Sequence, residues 1–126
     1  MNGYLISVAD RVGVAASFFD AAAARGVNVN PAYALADGRT GLICVGSEDE
    51  AGLKAAIADA GLTATAYEMV VTTLENRPGT GATLFRKLAT AGVDLRVAVP
   101  VGMEGDRVQI ALAASDTAAL KTALGG

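Results

Sequence analysis

The chain has no histidine, no tryptophan and one cysteine, and aromatic residues fill only 5% of its 126 positions. Each shortage removes a class of chemistry. Without histidine, serine–histidine triads and cysteine–histidine dyads lack their base, and a transition-metal site would have to rest on carboxylates alone, so no metal or other cofactor is expected. One thiol forms no internal disulfide. With no basic segment followed by a long apolar run after Met1-Asn2-Gly3, this points to the cytoplasm. No stretch approaches the roughly 20 apolar residues that cross a bilayer, so no membrane partner is expected. Thirteen acidic residues outnumber ten Lys and Arg. Nucleic acid, which is bound mainly through basic side chains and stacking aromatics, is therefore not an expected partner.

What the chain does have is one message written twice. Asp10-Arg11-Val12-Gly13 opens an apolar stretch through Phe18-Phe19 that closes on Arg25-Gly26-Val27, and Asn76-Arg77-Pro78-Gly79 opens another through Leu84-Phe85 that closes on Ala91-Gly92-Val93. The offset is constant, since 79 − 13 and 92 − 26 both give 66. A long period that occurs only twice implies two copies of a small domain rather than a solenoid. At 52% hydrophobic residues the chain can bury a core. Copies of about 60 residues are marginal alone, however, so each is expected to lean on its twin or on another chain.

Both copies give the same order of elements. In residues 1–68, Tyr4 to Ala9 reads as a strand, and Val14, Phe18, Phe19, Ala22 and Ala23 recur at helical spacing with both phenylalanines in the core, before Gly26 stops the helix. Val27 to Ala36 and Thr40 to Gly46 read as a hairpin around Asp37-Gly38-Arg39. Ser47 and Glu50 form a capping box for a helix that ends at Gly61, and Thr63 to Tyr67 is a fourth strand. In residues 69–126 the series is a strand from Met69 to Glu75, a helix from about Pro78 to Ala91 with Leu84, Phe85 and Leu88 in the core, a strand from Val93 to Val101, a turn at Gly102 to Asp106, a strand from Arg107 to Ala113 and a helix from Ser115. The fold class is therefore α+β: two βαββαβ ferredoxin-like units, antiparallel sheets with helices on one face, the second without its last strand. Pro31 and Pro100 both fall in the second strand of their copy, which marks that strand as a sheet edge. Residues Thr63 to Glu75 contain neither glycine nor proline, so little or no loop is expected between the copies.

The loop Glu75-Asn76-Arg77-Pro78-Gly79, the helix after it and Ala91-Gly92-Val93-Asp94-Leu95 resemble the ACT domain family, and the whole chain resembles a tandem pair of ACT domains without a catalytic domain. The first copy departs from the pattern at Val12, in place of the usual proline, and at Asp10, in the asparagine position. The resemblance implies a regulatory protein that binds an amino acid or related metabolite and acts on an enzyme or regulator. It also implies that the ligand sits against this loop, with Asn28 or Asp94 of a neighbouring domain at its ammonium group. The strand Met69 to Leu74, left without a fourth-strand neighbour, implies a symmetric homodimer that covers it or covers the edge strands near Pro31 and Pro100.

The residues of the loop fit that role physically. Pro78 suits the first helical position, Gly79 and Gly81 allow close approach to the backbone, and the free amides of the first turn, Thr80 among them, favour a carboxylate. Asn76 and Arg77 stand at the rim; Asp10, Arg11 and Gly13 are their counterparts. Because Asp10 would repel a carboxylate, the loop around Gly79 is expected to bind and that around Gly13 to be mainly structural. Each residue also has a structural use: helix start for Pro78-Gly79, solvated pairing for the arginines, a strand lead-in for Asn28 and Asp94, and packing for Cys44. Competing functions are weaker. Gly79-Thr80-Gly81-Ala82-Thr83-Leu84 lacks the small residue that a dinucleotide fingerprint needs at its last position, and Asn76 and Arg77 are too close in sequence to converge as a hydrolase pair. An interaction module that uses exposed strand edges without a small ligand remains the alternative.

Overall fold

The computed structural model describes residues 1–125. Met1–Tyr67 and the residues from Glu68 onward form two compact units. The first contains β1 (Asn2–Ala9), α1 (Val14–Ala24), β2 (Ala32–Ala36), β3 (Thr40–Val45), α2 (Glu50–Asp59) and β4 (Ala64–Glu68). The second contains β5 (Val70–Glu75), α3 (Thr80–Thr90), β6 (Leu95–Glu104), β7 (Arg107–Ala114) and α4 (Thr117–Ala123). Met69 alone separates β4 from β5.

The first sheet has the order β2-β3-β1-β4 and the second β5-β7-β6. As expected, β2 and β6 are edges; Pro100 lies within β6, whereas Pro31 immediately precedes β2. In the first unit Tyr4, Ile6 and Val8 on β1 stand opposite Val45, Ile43 and Gly41 on β3. Their common face packs on Phe18 and Ala22 of α1 and Leu53, Ala56 and Ile57 of α2. In the second unit Leu84 and Leu88 of α3, Leu112 of β7 and Leu120 of α4 form a smaller core. Equivalent backbone bonds close both helices, from the Val27 amide to Ala22 and from the Val93 amide to Leu88.

Several expectations need correction. Val27 to Pro31 is not strand. Asn30 and Pro31 still exchange bonds with Gly46, but proline has no N–H to give and the regular ladder starts at Ala32. In the second unit β6 runs to Glu104 and the turn shrinks to Gly105-Asp106. A register shift between Pro100 and Gly102 takes up one residue there. Helix α3 starts at Thr80 with Gly79 as N-cap, so Pro78 precedes the helix instead of occupying its first position. Phe19 and Phe85 are 42% and 44% exposed, because Phe18 and Leu84 take the inward positions and the next residue along a helix is turned about 100° away.

Ser47 does not cap α2. The Asp49 side chain does, accepting from the Gly52 amide, while the Ser47 hydroxyl donates to the Asn28 carbonyl and accepts from the Asp49 amide. Glu50 instead receives Asn2 Nδ2 and the Tyr4 hydroxyl. Burial first, and then this bond to Glu50, push the Tyr4 phenol up to about 12. A folded pKa above the unfolded value of about 10 gives stability that is complete below pH 10 and lost as pH rises through 12. By pH 11.5, still below the folded value, the expected loss is up to about 2 kcal/mol. Urea unfolding at pH 9 and pH 11.5 should show that loss in the native sequence and little of it in Tyr4→Phe; equal losses in both would contradict the assignment to Tyr4.

Candidate functional site

In each unit the strand that ends at the loop is held to the hairpin opposite it. The Asp10 amide bonds the Arg39 carbonyl, and the Asn76 amide bonds that of Asp106. The chain then turns through a left-handed glycine, Gly13 at φ 91° and Gly79 at φ 92°, and enters α1 or α3 with no side-chain cap. This conformation explains both glycines, because a Cβ would be strained there although no atom lies within 4 Å of its position. Gly81 is different: it lies inside α3 and has open space around it. The Ser17 and Thr83 amides bond back to Gly13 and Gly79. Among the described residues, no backbone partner takes the amides of Ala15 and Ala16 or of Gly81 and Ala82, which are the first-turn donors a helix leaves over.

The loops differ in their side chains. Arg77 pairs with Glu75 at 2.5 Å, and the Thr80 hydroxyl turns back to the Glu75 and Arg77 carbonyls at 2.7 and 3.1 Å rather than outward. In the first unit Ala9 stands where the second has Glu75, and Val14 where it has Thr80. No ion pair between Asp10 and Arg11 forms.

Each loop borders a cavity. In the second unit a groove of about 340 Å³ runs between β5 and α3, with Arg77, Thr80, Thr83 and Lys87 over Thr72 and Leu74. In the first unit a cleft of about 170 Å³ has Asp10 and Arg11 over Val8, Val14, Ala34, Ala36 and Ile43. A second hollow, of about 270 Å³, joins Arg11 and Gly13 to Ala60 and Leu62.

Asn28 and Asp94 do not join these loops within their own units. Asn28 lines a separate cavity of about 360 Å³ with Met1, Asn30 and Asp49, at the end of the sheet where β1 begins. Asp94 pairs with Arg96 at 2.7 Å. Sequence reasoning missed the residues that line the cavities from other elements: Ala34 and Ala36 on β2, and Thr83 and Lys87 on α3. Their signal was the spacing Thr80-Thr83-Lys87 along one helix face and the pair of alanines alternating on β2. Cys44 is buried, and burial raises its thiol pKa. No cluster of three or more Cys, Asp or Glu side chains that could hold a metal ion occurs among the described residues, and no described helix is long and apolar enough to cross a membrane.

No protein-family model and no curated protein matches the sequence. Solved structures do match in fold. A protein from Bacteroides thetaiotaomicron superposes with a TM-score of 0.78 at 14% identity, over 98% of this chain and 85% of that one. The ligand-free regulatory subunit of aspartate kinase from Thermus thermophilus gives 0.61 at 20% identity, over 98% and 89%. Aspartate kinase from Clostridium acetobutylicum gives 0.65 at 12% identity, over 97% of this chain but 31% of the enzyme. At such identities the likeness establishes the fold: ACT-like units with antiparallel sheets, the second without a fourth strand.

Proposed function

We propose that this chain is a non-catalytic regulatory protein of the cytoplasm that binds a small metabolite, an amino acid or a close relative, at its glycine-turn loops, and that an enzyme or regulator reads the bound state. The observation that carries this reading is the repeated turn. Twice, a left-handed glycine leads into a helix whose first-turn amides are uncapped, beside an arginine that lines a cavity, an arrangement suited to a carboxylate. The fold likeness to a regulatory subunit of aspartate kinase supports a regulatory role. The mechanism is linkage: a ligand that binds one conformation more tightly shifts the population toward it, by no more than its difference in affinity.

A thermal-shift screen against amino acids and common metabolites tests this. A ligand at 100 times its dissociation constant adds about 2.7 kcal/mol, which for a chain of this length is a rise of roughly 10 °C. If no compound moves the melting temperature, the second reading gains: an interaction module that adds a partner's strand to the open edge of β5, where Val71 is 54% exposed.

A further inference from the structure

We infer that the cleft of the first unit is a side-chain pocket for an aliphatic amino acid, with Arg11 receiving the carboxylate and Asp10 the ammonium group. This rests on the amino-acid reading proposed above and assigns it a place and a specificity.

The pocket exists because one row of the first sheet is built from small residues. Val8, Gly41 and Ala36 stand side by side on β1, β3 and β2, as do Ile6, Ile43 and Ala34 in the next row. The second unit has Leu74, Val108 and Met103 in the first of these rows, and Thr72, Ile110 and Pro100 in the other. Where the second unit carries two branched side chains and a methionine, the first carries valine, alanine and no side chain at all. Val14 and Ala15 close the cleft from α1.

Size and polarity identify the occupant. An apolar cavity of about 150 Å³ takes up the six carbons of benzene, so the cleft of about 170 Å³ has room for an apolar side chain of roughly four to seven carbon atoms, and falls well below the roughly 300 Å³ at which drug-sized sites begin. The floor offers a side chain no hydrogen-bonding group, so a polar one would be left unsatisfied. At the rim Asp10 and Arg11 supply one charge of each sign and are not paired with each other, whereas in the second unit Arg77 is tied to Glu75. A zwitterion with an aliphatic tail meets all three features. Asp10 then serves the ligand's ammonium group, and is not merely a repulsive neighbour of its carboxylate.

Calorimetric titration of the whole chain with each of the twenty amino acids tests the assignment. Each methylene buried is worth roughly fourfold in affinity, so L-leucine should bind on the order of 50-fold more tightly than L-alanine. Ala36→Met, which copies the residue of the second unit at this register position, should weaken L-leucine at least tenfold with an unchanged melting temperature; Ala34→Leu, at an exposed edge position, is the second filling variant should the first unfold. Asp10→Asn should weaken L-leucine but not 4-methylpentanoate, the same molecule without its amine, whose carboxylate should bind somewhat more tightly once the like charge is gone. L-Leucine binding that ignores both filling variants, or tightest binding of a polar amino acid, overturns the pocket while the broader reading stands. Failure of all twenty to bind overturns the pocket; the broader reading falls with it only if the thermal-shift screen of metabolites is silent as well.

Discussion

Leu112→Ala is expected to remove about 3 to 4 kcal/mol of stability from the second unit, and to unfold much of it at room temperature. Leu112 is fully buried in the middle strand of a three-stranded sheet, and touches a core whose other large members are Leu84, Leu88 and Leu120. Ten residues fill the corresponding core of the first unit. A unit of about 60 residues has roughly 3 to 9 kcal/mol of stability in all, so a single large-to-small change there is comparable to the whole. Hydrogen exchange should report it as lost protection on β5, β7 and α3. Leu35→Ala is the control: Leu35 is 78% exposed on the edge strand β2, and its truncation should stay within about 0.5 kcal/mol. If Leu112→Ala costs no more than Leu35→Ala, the core described for the second unit is wrong.

The repeat made the fold legible. Pseudo-equivalent positions 66 residues apart carry the same turn, the same helix stop and an inward apolar residue, Phe18 in one and Leu84 in the other. The prolines, Pro100 within β6 and Pro31 just before β2, marked the edge strands. Errors fell where a local pattern competed with a tertiary bond. Ser47 and Glu50 have the spacing of a capping box, yet Glu50 is drawn to Tyr4 and Asn2 on β1 and Asp49 caps the helix instead. Nothing within ten residues of Glu50 announces those partners. Size and apolarity alone place Phe19 and Phe85 in the core, but only one of two adjacent helical residues can face the sheet.

The site was legible as a pair of loops and obscure as a pair of cavities. Gly13 and Gly79, which the sequence ranked differently, hold the same conformation. What separates the loops is the residue two positions before the arginine, Ala9 in one and Glu75 in the other, and that difference could have been read from the aligned repeats. The alanines of β2 could not, because their meaning depends on Gly41 across the strand and on the turn of α1 above them. Small residues on an edge strand read as weak strand formers until the register is known.

A symmetric homodimer is the other outcome with a large effect. In the first unit β4 covers the free side of β1, whereas among the described residues no strand covers the same side of β5. An uncovered edge exposes a row of backbone donors and acceptors, which native sheets blunt with charge, proline or a bulge. From Val70 to Leu74 β5 has none of these. Two such edges related by a twofold axis pair antiparallel with themselves, which closes the assembly at two copies. Sedimentation at micromolar concentration should therefore give twice the 12.6 kDa of one chain. Val71→Lys should shift it to the single-chain mass with the fold intact, because a charge on the exposed face of β5 would lie close to its own copy across the axis and repel it. A clean 12.6 kDa species from the native sequence would leave β5 bare and remove the reason for the dimer.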